Sequence, residues 1–471
     1  MSELNELMTA IENSVAIDGS IVKVRDSNKL RSNIEKLVEF SSLRTGDIQG
    51  WARYIVRAAA LDLGIVPASI HQLYMARGQG DAPLTFTTPA LNLRVLSFLA
   101  ARAVFRTAKK MNAAAFIFEI ARSEIGYTAQ RPAEYSTNIL AAAIAEDWKG
   151  PVFIQGDHFQ MSSKKYAADA QAEINAVKDL TREAVAAGFF NIDIDTSTLV
   201  DITKPSIPEQ QETNFSLSSE FASLIRELEP KGVTISVGGE IGEVGGHNST
   251  EQELRAFMDG FIAGMKKRAP GKPGLSKISI QTGTSHGGTV LPDGSLAKVS
   301  IDFDTLRELS RVARKDYKLG GTVQHGASTL PEDAFHKFVE NEAIEVHLAT
   351  NFMTMFYESA PANLRKEMYS WLDKNSAGER KPEMTDEQFY YKTRKNALGA
   401  FKAQILGLST AEKDKLGAAW QKQFEKLFHL LGAKDTRQYV EKFVKPIAVL
   451  PDMKFYLGKE ITEAMADDLQ D

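Results

Sequence analysis

Between residues 84 and 350 the chain passes eight times from a strand-like to a helix-like segment, and that count constrains the fold more than any other feature. The strand-like segments are Leu84 to Thr88, Ala114 to Ala121, Val152 to Gly156, Asn191 to Asp195, Val233 to Gly238, Lys277 to Thr282, Thr322 to His325 and Ile344 to Thr350. Helical stretches separate them. The clearest carries Leu254, Phe257, Met258, Phe261, Ile262 and Met265 on one stripe, behind Ser249 and Thr250 as caps. Such alternation predicts a parallel α/β sheet, and a count of eight predicts a closed (β/α)8 barrel.

The pattern also sets the edges. Residues 1–80 read as a helical N-terminal segment, with amphipathic stretches at Leu30 to Phe40 and Trp51 to Leu63, ending in Gly78-Gln79-Gly80-Asp81-Ala82-Pro83. Residues 81–360 form the barrel, and 361–471 a charged, helical C-terminal extension that packs on the barrel or on a neighbouring subunit. A net charge of −5 argues against nucleic-acid binding. With no cysteine there is no thiolate ligand or thiol chemistry, so any metal rests on histidine and carboxylate. No basic-then-apolar leader and no long apolar run appear, which makes a cytoplasmic protein without a membrane span the expectation.

Chemistry concentrates where strands end. Gly150-Pro151-Val152-Phe153-Ile154-Gln155-Gly156-Asp157-His158 runs from apolar residues into a carboxylate and an imidazole. The stretches ending at His286-Gly287-Gly288 and at His325-Gly326-Ala327-Ser328 repeat the pattern, so three of eight histidines sit at strand ends. Strand C-termini of a barrel converge on one face, and three protein ligands with an open position suit a catalytic metal. One such histidine alone is more often a hydrogen-bonded core residue; three in matching places favour the metal reading. Glu240 is a fourth or transient ligand, or a loop carboxylate capping the next helix. Asp157 is a general base beside the metal, or support for a ligand. Gly287, Gly326 and Ser328 offer backbone N–H groups to a phosphate or carboxylate, or simply make tight turns. Asp193 and Asp195 alternate with isoleucines and share a strand face, with a helix-cap role open to Asp195.

Gly283-Thr284-Ser285-His286-Gly287, Ile301-Asp302-Phe303-Asp304 and His325-Gly326-Ala327-Ser328-Thr329-Leu330-Pro331 resemble motifs of the class II, zinc-dependent fructose-bisphosphate (ketose-bisphosphate) aldolases. Gly156-Asp157-His158, Ile192 to Ser197 and Glu240 with Gly245-Gly246 support the likeness, which covers about residues 84–360. The resemblance implies zinc, or another divalent transition metal, on His158, His286 and His325, with Glu240 as a mobile ligand. It further implies Asp157 as the residue exchanging the C4-hydroxyl proton. Gly287, Gly326, Ser328, Ser123 and Thr350 would be substrate or phosphate contacts, and Asp195 the holder of an additional, monovalent cation.

Three departures stand out. The family's acidic pair after Gly-Gly is replaced by His247-Asn248-Ser249, with Glu243 and Glu251 nearby but unaligned. Its Asn-x-Asp-Thr reads His347-Leu348-Ala349-Thr350, and a basic residue expected after the sixth strand is absent. The primary expectation is a metal-dependent lyase cleaving C3–C4 of a ketose (bis)phosphate, in a homo-oligomer. One alternative is a metal-dependent epimerase of a sugar or sugar acid, with His247 and His347 as acid/base groups or, more simply, as solvent-facing or core side chains. The other is a non-catalytic aldolase accessory subunit.

Overall fold

The first strands come before the barrel. In the computed structural model, which describes residues 3–242, 247–283, 291, 301–327 and 330–458, β1 (Val15–Asp18) and β2 (Ile21–Val24) form an antiparallel hairpin. Its two-residue turn places Gly19 at φ +59°, where a side chain would be strained. Helices Ser27–Leu43 and Asp47–Asp62 follow, burying Leu30, Ile34, Leu37 and Ile55 against each other and against the helix Pro132–Ala145. Residues 1–80, read as helical, therefore also contain short strands, the third being β3 (Ile65–Ala68).

The barrel strands are β4 (Thr88–Asn92), β5 (Ile117–Ala121), β6 (Gly150–Gln160), β7 (Asn191–Asp195), β8 (Ser236–Glu240), β9 (Lys277–Ile280), β10 (Thr322–Gln324) and β11 (Glu345–Leu348). Each pairs in parallel with its neighbours in chain order, and β11 returns to β4 with Glu345 opposite Thr88. This is the closed eight-stranded (β/α)8 barrel that the alternation predicts. Strand β4 lies later than the expected Leu84 to Thr88. Pro89 and complete burial remove both usual strand signals there, β propensity and alternation.

Strand β6 is unusually long because the edge away from β5 serves two partners. Its first residues, Gly150–Phe153, pair with β3, and Gln155 onward pairs with β7. Asn191 sits in the fork, accepting from Ile70 N at 2.9 Å and donating to Ala68 O and Ile154 O at 3.1 and 3.0 Å. Beyond it, Gly156 opposes Ile192 and Phe159 opposes Ile194, so Asp157 and His158 together face the single residue Asp193. The result is a β-bulge at the mouth of the barrel.

Outer helices follow their sequence signals. Glu251–Arg268 opens with Thr250 and Glu253 in a reciprocal capping box and buries Leu254, Phe257, Met258, Phe261 and Met265, while Ile262 is exposed. After β11 the extension is built of helices joined by loops, and residues 385–403 hold Asp386–Thr393 and shorter helical turns. Thr410–Leu430 packs on Ser97–Met111, and Trp420 donates to Phe352 O at 3.2 Å. No described helix is long and apolar enough to cross a membrane.

Candidate active site

The bulge decides what the site contains. In a regular strand Asp157 and His158 would face opposite ways; here His158 adopts φ +40°, and both line a cavity of about 920 Å³ at the strand C-termini. Gly156 makes this possible, since a Cβ there would lie 2.5 Å from the Phe159 ring. His325, at the end of β10, brings its ring to 4.1 Å from that of His158, centroid to centroid. One ligand atom each from Asp157, His158 and His325 lies within 4.8 Å of the others, and the same holds for His158, Asp195 and Glu240.

His158 Nδ1 is 3.0 Å from Asp195 Oδ2 and 3.2 Å from Glu240 Oε2. Burial alone would lower its pKa, but the charges of Asp157 and Glu240 and the Asp195 hydrogen bond outweigh burial and raise it well above the usual value. Burial, helped by Asp195, pushes Glu240 up to about 7. Burial would also raise Asp157; His158 and His347 instead hold it well below the usual carboxylate range. Imidazole nitrogens and carboxylate oxygens are the donors a divalent transition ion prefers, so the residues fit such an ion.

His286, Gly287 and Ser328 lie outside the described residues. Gly326 (φ +68°), Ser123 and Thr350 line the cavity with Asp157, His158 and His325. Asp195 is buried and fully engaged, by His158 and by Gln160 Nε2 and Ser197 Oγ at 2.5 and 2.6 Å. His247 is exposed at the start of the Glu251–Arg268 helix, 3.9 Å from Glu253. Glu251 pairs with Arg255 at 2.8 Å, and Glu243 lies outside the described residues.

Sequence reasoning left His347 out of the ligand set, yet it stands at the centre. Its ring is 4.1 Å from that of His325; Nδ1 lies 3.0 Å from Asp157 Oδ1 and 3.1 Å from Glu119 Oε1, and Nε2 2.7 Å from Glu345 Oε1. Beneath it the barrel interior is polar. Lys277, 1% exposed, pairs with Asp193 at 2.9 Å, donates to Gln155 Oε1 at 2.8 Å and contacts Glu345, which also takes the Tyr74 hydroxyl. Gln155 in turn donates to Glu119 and Glu345 at 2.8 and 2.9 Å. Burial pushes Asp193 up to about 6 despite Lys277, whereas Lys277 and His347 overcome burial to hold Glu345 at about 2. The signal was present in the sequence as charged residues inside strands that must face inward, notably Lys277 and Glu345.

The extension completes the cavity. Lys381, Glu383, Met384, Gln388, Tyr391, Lys392 and Lys395 line it together with Asn92, Arg94 and Tyr127.

No curated protein matches this chain in sequence. Among solved structures, a fructuronate-tagaturonate epimerase from Cohnella laeviribosi is 12% identical with a TM-score of 0.53, over 92% of this chain and 99% of that one. A fructose-bisphosphate aldolase from Campylobacter jejuni is 16% identical with a TM-score of 0.47, over 79% and 96%. At 12% identity the likeness to the epimerase is one of fold. The family model for fructose-bisphosphate aldolase class-II matches residues 85–408, most of the chain and all eight barrel strands, and this chain belongs to that family.

Proposed function

We propose that the chain is a metal-dependent aldehyde-lyase that breaks and makes the C3–C4 bond of an open-chain ketose. The observation that carries this reading is the bulge, which turns a buried carboxylate, Asp157, and an imidazole, His158, toward the cavity that His325 also lines. His158, His325 and Glu240, joined by His286, would hold a divalent ion, which when bound supplies Lewis-acid polarisation of the ketose carbonyl. Asp157 is oriented by Asn92 Nδ2 at 2.8 Å and by His347 at 3.0 Å, and it stays ionised. It accepts the C4-hydroxyl proton as the C3–C4 electron pair moves toward the carbonyl and C4 departs as an aldehyde. A proton returned to C3 completes the three-carbon ketone. Asp157→Asn is expected to lower turnover by about 10²–10⁴-fold while metal content, read by plasma emission spectrometry, stays unchanged. Full turnover in that variant would remove the assignment.

A second reading is supported by the rim. A lyase must release two fragments, whereas an epimerase must keep both until the aldehyde has turned its other face. Residues 381–395 of the extension close part of the mouth and suit retention, and the likeness to the Cohnella epimerase spans 92% of the chain. Product analysis separates the two: free aldehyde and triose for the lyase, a C4 epimer of the substrate for the epimerase.

A further inference from the structure

Asn92, the last residue of β4, serves two carboxylates with one side-chain nitrogen. Its Nδ2 donates to Asp157 Oδ2 at 2.8 Å and to Glu124 Oε2 at 2.9 Å. An amide nitrogen carries two hydrogens, so both are spent, and the opposite orientation would set the amide oxygen against two carboxylates. Glu124 is itself held firmly. Its Oε1 accepts from Arg94 Nε at 2.5 Å, and its Oε2 accepts also from the Ala121 N–H at 3.0 Å, at the start of the helix Arg122–Thr128 in which Glu124 is the third residue. Asn92, Glu124 and Asp157 are all buried, which strengthens these bonds.

We propose that Glu124 is a positioning residue for the carbon–carbon bond chemistry: it keeps the Asn92 amide nitrogen turned toward Asp157, and Asn92 thereby sets the plane of the Asp157 carboxylate. This rests on the reading that Asp157 accepts the C4-hydroxyl proton. With Oδ2 on Asn92 and Oδ1 on His347 at 3.0 Å, the carboxylate is pinned at both oxygens. A base displaced by about 1 Å loses about 100-fold in rate, so the pinning bears directly on turnover. What the role demands of Glu124 is reach, an oxygen at the place of Oε2, rather than charge. Glutamine has that reach. Aspartate does not, although it keeps a negative charge for Arg94.

The test compares Glu124→Gln with Glu124→Asp in the metal-loaded, full-length protein, each alone and combined with Asp157→Asn. Glu124→Gln is expected to keep most of the wild-type kcat, with any change falling on KM, because Arg94, which loses its partner, lines the cavity. Glu124→Asp is expected to lower kcat by about tenfold to 100-fold and to change KM far less. Added to Asp157→Asn it should cost nothing further, since the group it positions is already gone. The reverse order, with aspartate active and glutamine inactive, overturns the positioning role, as does a loss that persists undiminished beside Asp157→Asn. Crystal structures of the unliganded wild type and both variants supply a readout that needs no turnover. The contact between Asn92 and Asp157 should keep its length in Glu124→Gln and break in Glu124→Asp, and an unchanged contact in Glu124→Asp overturns the inference. A wild type that converts no ketose, while this contact responds as expected, removes the proposed activity and leaves the hold of Glu124 on Asp157 standing.

Discussion

His347 Nδ1 lies 3.0 Å from Asp157 Oδ1, joining the last strand of the barrel to the bulge of the third. The same imidazole bonds Glu345 and lies within ion-pair distance of Glu119, so one ring offsets the charge of three buried carboxylates. His347→Leu should therefore leave uncompensated charge in the barrel and destabilise the fold by about 3–5 kcal/mol. Urea unfolding of wild type and variant measures this, and a loss under 1 kcal/mol would mean that the carboxylates find other partners.

Lys277 occupies the corresponding place deeper in the barrel. Removing it as Lys277→Met strands Asp193 and Glu345, with an expected cost of about 3–5 kcal/mol. Adding Glu345→Gln to that variant should restore part of the loss, because one stranded charge is removed. Strict additivity in the double-mutant cycle would show that the pair does not interact.

Gly156→Ala tests the bulge. Its Cβ would press on the Phe159 ring at 2.5 Å, and overpacking of this kind costs about 1–3 kcal/mol. Since Phe159 anchors the end of the bulge, His158 should shift as well, and zinc affinity measured by competition with a chelating dye should fall. Unchanged affinity would mean that His158 is held independently of the strand.

His71 gives a pH signature far from the cavity. Burial, aided by Arg226, lowers its pKa from 6.5 to about 4, and its Nδ1 bonds Ser276 Oγ at 2.7 Å. A histidine kept neutral in the fold contributes fully above the unfolded value of about 6.5 and loses that contribution as pH falls toward the folded one. Between pH 7 and pH 5 the wild type should lose about 2 kcal/mol more stability than His71→Gln. Parallel unfolding curves for the two proteins across that range would contradict the burial of a neutral ring.

Much of this was legible in the sequence. The eight βα units were readable because short strand-like segments alternate with turn residues and helical stretches, and His158, His325 and Asp157 because they end such segments. The bulge was not, since a two-against-one register is a property of the pair β6 and β7, and no periodicity within one strand reports it. β3 was hidden by Pro67 inside a four-residue segment. His347 was underrated because its value comes from Glu119, Asp157 and Glu345, residues distant in sequence that only barrel closure brings together. Nothing in the charged sequence of the extension marked residues 381–395 as lining for the cavity, because only the packed fold brings them to it.

Metal binding should be visible as proton release. His158 is held above its usual pKa by neighbouring carboxylates and Glu240 is pushed to about 7 by burial, so both carry protons near pH 7 that a cation must displace. Calorimetric titration of the chelator-treated protein with zinc in buffers of different ionisation enthalpy should show that release, diminished in Glu240→Gln. Zinc at about 100 times its Kd should stabilise the fold by about 2.7 kcal/mol.

The most direct measurement is carbon-13 NMR of the metal-loaded protein with fructose 1,6-bisphosphate, fructose 6-phosphate and a free ketohexuronate, each with and without chelator. Chelator-sensitive cleavage at C3–C4 of at least one of them, abolished in Asp157→Asn, is the expected result. Turnover that ignores both the chelator and Asp157, or no change in any ketose by metal-replete protein, would contradict a metal-assisted retro-aldol site at the bulge.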